Sequence, residues 1–255
     1  MNQHPPVRRY RAHLSQFTTS VLQAKNPWVV AFFAFSYPGF GHLLLHRYIA
    51  GFILILWETF INGKANVNLG ILFTLTGEFD KAKEVMDERW LMLYVGIYMF
   101  GIWDSYRTTV DLNKQFLLAD HEDAALRRPN FMGAWDINFM DKRKPWVAVA
   151  WSGLFPGLGH LYIHKVIAGF FLFAYTVAIM YFGHLPEGIQ YTMHGKFSDA
   201  KQVLDMQWVL YLPSIYFFIL YDAYITAIDY NLLFEKEMKK FLQENYQKKE
   251  FKFPF

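Results

Sequence analysis

Residues 26–52 read NPWVVAFFAFSYPGFGHLLLHRYIAGF, and residues 144–170 read KPWVAVAWSGLFPGLGHLYIHKVIAGF. Pro27 realigns with Pro145, an offset of 118 residues that holds without a gap to the end of the similarity. Further along, Gly77, Phe79, Ala82, Lys83, Val85, Asp87, Trp90, Asp104, Tyr106, Asp111 and Asn113 return as Gly195, Phe197, Ala200, Lys201, Val203, Asp205, Trp208, Asp222, Tyr224, Asp229 and Asn231. Self-similarity at one fixed offset is the signature of a duplicated unit, here of about ninety residues.

Each unit has three apolar segments, at 28–45, 48–62 and 90–106 and again at 146–163, 166–183 and 208–226. A spanning helix needs roughly 20 residues to cross the hydrocarbon. The third segment meets that, the second is a short but plausible span, and the first meets it only if nothing interrupts it. Pro38, Gly39 and Gly41 do interrupt it, as Pro156, Gly157 and Gly159 interrupt its repeat. Proline ends a helix and glycine permits the backbone angles of a reversal. Lys25 and Arg47 flank the first segment, and Lys144 and Lys165 its repeat. Short loops rich in Lys and Arg stay on the cytoplasmic side, so the segment is expected to enter and return as a re-entrant hairpin. The alternative is a proline-kinked spanning helix.

The expected fold is therefore an all-α polytopic membrane protein with two tandem modules. Each holds a re-entrant or kinked PGxGH hairpin and two transmembrane helices, related by a pseudo-twofold axis along the membrane normal. Its parts are a basic amphipathic arm (1–26), module 1 (27–114), a cytoplasmic linker (115–143), module 2 (144–232) and a cytoplasmic helical tail (233–255). Leu14, Phe17, Val21 and Leu22 predict a short surface helix in the arm, and Pro213 predicts a kink in the last span. Composition agrees with a membrane class: 54% hydrophobic and 20% aromatic residues against 18% charged. The chain has no cysteine, which excludes disulfides and thiolate chemistry. Its basic residues form no nucleic-acid stripe, and the N-terminus lacks the apolar core of a cleaved signal.

The string PGLGHLYIHKVIAGF closing with LYDAYITA, with IWDSYRTT in the first unit, resembles the bacterial TM2-like membrane modules. It is also similar to the N-terminal module of some maltose-type sugar ABC-transporter permeases. The resemblance spans both repeats and implies a bacterial cell-membrane protein, multi-pass with cytoplasmic termini, often accessory to a larger membrane complex. His46 and His164 stand where such modules commonly have glycine, and the permease core with its coupling helix is not visible.

Three sets of residues are candidates for chemistry. His42 and His46, like His160 and His164, are four apart; on a helix both imidazoles share a face, a metal-binding arrangement if Asp104 and Asp222 complete it. The structural alternative is that His42 and His160 satisfy groups freed at the turn while His46 and His164 sit at headgroup level. Asp104 and Asp222 lie near the inner ends of spans, as a proton, cation or metal site or as partners of Arg47, Arg107 and Lys165. Glu58 sits in mid-span where its repeat counterpart is Thr176, and is the best single functional candidate, lining the path of a transporter; the alternative is a side chain snorkelling into a wet hairpin cavity. No P-loop, dinucleotide fold, nucleophile elbow or HExxH motif occurs. The leading expectation is a non-enzymatic accessory or scaffold subunit embedded in the lipid bilayer beside a membrane-protein partner. A metalloprotein using the four histidines, or a small stand-alone transporter, is the alternative; the sequence assigns no cofactor.

Overall fold

The computed structural model describes residues 9–122, 130–132 and 137–246 and is mostly helical. Arg8, Arg127, Arg128 and the tail beyond Tyr246 lie outside the described residues. The first half runs β1 (Ala12–Leu14), β2 (Thr19–Val21), α1 (Pro27–Ser36), α2 (Phe40–Leu44), α3 (Tyr48–Ala65), α4 (Val67–Leu75), α5 (Phe79–Val85) and α6 (Glu88–His121). The second runs β3 (Asn130–Met132), β4 (Ile137–Phe139), α7 (Pro145–Leu154), α8 (Leu158–Tyr162), α9 (Val166–Phe182), α10 (Leu185–Met193), α11 (Phe197–Val203), α12 (Met206–Val209) and α13 (Tyr211–Asn245). Every helix of the first half starts 118 residues before a helix of the second.

The boundaries have local causes. Asn26 accepts from the Trp28 amide and caps α1, with Pro27 in the first turn. Asp87 caps α6 through the amides of Arg89 and Trp90, and Asp205 caps α12 through Gln207. Pro213 explains why the counterpart of α6 is split: it has no N–H to donate back to Val209, and the helix breaks at Leu210. The expected kink is thus a break three residues upstream of the proline.

The PGxG stretch reverses the chain. Tyr37, ahead of Pro38, is extended, as a residue before proline prefers. Gly39 follows in the left-handed region at φ 102°, and Gly157 matches it at 98°. The reversal lays α2 against α1 so closely that a Cβ on Gly41 would sit 2.8 Å from the Val30 carbonyl oxygen; on Gly159 it would sit 2.1 Å from that of Ala148. A continuous kinked helix would hold residues 30 and 41 roughly 16 Å apart at 1.5 Å per residue.

The N-terminal arm differs from expectation. Residues 12–21 form an antiparallel hairpin, pairing Ala12 with Val21 and Leu14 with Thr19, instead of an amphipathic helix. Thr18, Thr19 and Val21 are β-branched, and the strand alternation buries Leu14, Thr19 and Val21. Tertiary contacts complete the ladder: the Thr19 amide donates to the His164 carbonyl at 3.3 Å, and the Val166 amide to that of Phe17 at 3.1 Å. Helix α6 continues past Lys114 to His121.

The halves pack through aromatic rings. Phe40 stacks on Phe218 at 4.2 Å and Phe52 on Phe171 at 4.0 Å, while Phe33 meets Phe217, Phe218 and Tyr221. Large apolar side chains also point outward; Trp28, Ile49, Met92, Trp146 and Met193 are each more than 70% exposed. Among the described residues one helical stretch, Met206–Glu244, is long and apolar enough to cross a membrane. Helices α9 and α10 pass the same criterion together but meet at 63°. Helix α3 does not pass: Glu58, Asn62 and Lys64 share its 18 residues.

Candidate functional site

Two equivalent polar clusters close the hairpins. In the first half, His42 on α2 places Nε2 at 3.1 Å from Asp104 Oδ2 on α6. Arg47 Nη1 donates to the same oxygen at 2.6 Å and Arg107 Nη2 to Oδ1 at 3.0 Å. In the second half, His160 Nε2 lies 2.9 Å from Asp222 Oδ2, and Lys165 Nζ donates to both carboxylate oxygens. Thr226 adds a hydroxyl at 3.0 Å. With an ionised carboxylate at Nε2, that nitrogen must carry the proton, and Nδ1 of each histidine is left buried without a partner among the described residues.

The clusters differ in burial. The Arg47 side chain is 41% exposed, whereas Lys165 is fully buried. The N-terminal hairpin is the cause, because Phe17 to Thr19 lie across the backbone of His164 to Val166 and cover the second cluster. A second pair of matched contacts ties the entrances: Asn113 bonds both backbone groups of Lys25, and Asn231 those of Arg143.

The histidine pairs do not share a helix face. Helix α2 ends at Leu44, so His46 lies beyond it at φ 58°, and His164 lies beyond α8 at φ 60°. His46 Nδ1 is 2.9 Å from the Tyr48 hydroxyl, whereas His42 Nε2 meets Asp104. No group of three or more His, Asp or Glu side chains able to hold a metal occurs among the described residues.

Glu58 belongs to a different assembly, at the seam between the halves. Its Oε1 accepts from Asn62 Nδ2 at 3.0 Å and the Tyr94 hydroxyl at 3.2 Å. Asn62 then meets Asn68 and Gln207: Gln207 Nε2 donates to Asn62 Oδ1 at 2.7 Å, and Asn68 Nδ2 to the Gln207 carbonyl at 2.8 Å. One residue along α3, Thr59 joins Tyr37 and Tyr175 in a ring of hydroxyls. Sequence reasoning singled out Glu58 but missed Tyr37, Asn62, Asn68, Tyr175 and Gln207. Their signal was the same as that of Glu58: each stands where the repeat has a different residue, namely Phe155, Met180, Pro186, Trp57 and Arg89.

In chemical terms the repeated clusters join an imidazole, a carboxylate and a cation, and each carboxylate is spent on its own imidazole Nε2 and cation, with the histidine Nδ1 left unpaired among the described residues. The seam network spends its amides and hydroxyls in the same way. Comparison with family models, with curated proteins and with solved structures gave no match.

Proposed function

We propose that this chain is a polytopic integral protein of a bacterial cell membrane, a tandem duplication of a TM2-like module, acting without catalysis as an accessory or scaffold subunit of a larger membrane complex. Four spans, α3, α6, α9 and α12–α13, carry two re-entrant hairpins, and both termini are cytoplasmic. The observation that carries the reading is the inside-out distribution of side chains. Asp104 and Asp222 are consumed in internal clasps, while large apolar residues such as Trp28, Met92 and Trp146 face outward. Ionisable groups in spans face the protein interior and lipid takes the apolar ones.

The backbone at His46 and His164 supports the family likeness. Both are left-handed, the conformation that glycine adopts most readily, so the glycine common there in the resembling modules would fit the same turn. ABC-type transporters of the maltose kind are the complexes to examine first, since their permeases carry the similar module.

Affinity purification from native membranes in mild detergent tests the role: a partner is expected at stoichiometric yield, and a homogeneous protein eluting alone would remove the accessory reading. Single cysteines at Lys25, Arg47, Lys64 and Lys114 test the topology. The first, second and fourth are expected to label from the cytoplasm and the third from outside.

A further inference from the structure

A cavity of about 350 Å³ lies between the N-terminal β-hairpin and helix α6, a volume within the range of small-molecule sites. Arg11, His13, Lys25 and His46 contribute its basic and imidazole groups, Leu45 and Leu112 part of its apolar wall, and among the described residues no Asp or Glu lines it. Arg11 is 4% exposed and donates through Nη2 to Asp120 at 2.7 Å, while its Nε is buried with no partner among the described residues. Lys236 also donates to Asp120, at 2.5 Å. Two cations therefore share one carboxylate, whereas Lys25 is matched by Asp229 and Arg9 by Glu122.

We infer that this cavity binds the phosphate group of an amphiphilic ligand, with Arg11 as the principal anion contact and Leu45 and Leu112 against the apolar part. A guanidinium presents a planar fork of donors suited to phosphate. Asp120 occupies Nη2 and holds the guanidinium in place, which leaves Nε as the donor without a partner among the described residues. The phosphate can come from a lipid headgroup or from a soluble phosphate ester. The inference stands on the cavity's own residues and does not need the accessory reading, because a soluble anion can be titrated onto the purified protein.

Delipidated protein in dodecyl maltoside would be titrated with dioctanoyl phosphatidylglycerol, dioctanoyl phosphatidylcholine and inorganic phosphate, and followed by native mass spectrometry and thermal shift. One equivalent of phosphatidylglycerol or of phosphate is expected to bind, with phosphatidylcholine at least about tenfold weaker, as loss of net ligand charge predicts. Binding of phosphatidylglycerol alone identifies a lipid headgroup, and comparable binding of phosphate a soluble source. Arg11→Gln should weaken binding by about tenfold or more. Ser20→Phe, which fills the cavity from β2 without changing charge, should do the same if Arg11→Gln does not fold. Equal affinity for both lipids, no binding of either anion, or unchanged binding in a folded variant would overturn the inference.

Discussion

Lys165 Nζ lies 3.0 Å from Oδ1 and 2.6 Å from Oδ2 of Asp222, and neither side chain is more than 2% exposed. The equivalent cation in the first half, Arg47, is substantially exposed and shares Asp104 with Arg107. One repeated motif thus gives a dry clasp and a wet one, and the two respond differently to substitution.

Removing one partner of a buried pair leaves an uncompensated charge, at a cost of about 3–5 kcal/mol. Lys165→Met is accordingly expected to lower thermal stability in detergent strongly. Arg47→Met, with Arg107 still on Asp104, should cost roughly 1 kcal/mol. Equal shifts in the two variants would contradict the difference in burial.

Glycine is required at the hairpin turn. A Cβ on Gly39 would lie 2.4 Å from the Gly51 carbonyl oxygen, and on Gly157 2.3 Å from that of Gly169. Gly39→Ala and Gly157→Ala are expected to abolish accumulation of folded protein. Gly63→Ala is the control, since nothing lies within 4 Å of its Cβ position on α3; it should be neutral or stabilise by up to about 1 kcal/mol.

His46 offers a graded test of the left-handed site. A β-branched residue is a true outlier at φ 58°, so His46→Val should cost about 1–2 kcal/mol more than His46→Gly. Thermal unfolding of the two variants measures this directly; the lost bond to Tyr48 is common to both.

Glu58 can be separated into packing and charge. Glu58→Gln keeps an oxygen to accept from Asn62 and Tyr94, whereas Glu58→Leu strands both donors, worth about 1–3 kcal/mol. A purely structural Glu58 predicts Gln near wild type in stability and in co-purifying partner. Loss of partner or of ion flux in a stable Glu58→Gln would show that the charge itself is used.

Asp120 ties the N-terminal hairpin to the C-terminal helix through Arg11 and Lys236. The hydrogen bond from Lys236 holds its carboxyl below the usual range, against the opposing effect of desolvation. A depressed folded pKa gives stability that is present above the unfolded value, about 3.9, and is lost as pH falls through the folded one. The stability gap between wild type and Asp120→Asn should therefore hold from about pH 7 to pH 5 and close below about pH 4. Denaturation in detergent across that range, with proteolysis reporting on the hairpin, checks the sign.

Much of the local design was legible before any coordinates. PGxGH marked the interruption because proline and positive-φ glycine act through a few neighbouring residues. Asp87 and Asp205 stood out as matches because a helix cap is a local device. Other features were not legible because they join distant segments. The arm at 12–21 read as a helix on its 3.6-residue spacing, but its strands are completed by backbone groups of His164 and Val166, more than 140 residues away. The histidine spacing implied a shared face only if one helix held both, and α2 and α8 end too early for that.

By itself the sequence determined the offset of 118, the turn chemistry at Gly39 and Gly157, and the predominance of helix, since each rests on short-range sterics and hydrophobic pattern. Only the tertiary structure decided that Asp104 and Asp222 clasp their own hairpins, that Glu58 shares a seam with Asn62 and Gln207, and that Arg11 stands over a cavity. Those outcomes depend on which distant donor satisfies which buried acceptor, and side-chain spacing along one chain carries no record of that choice.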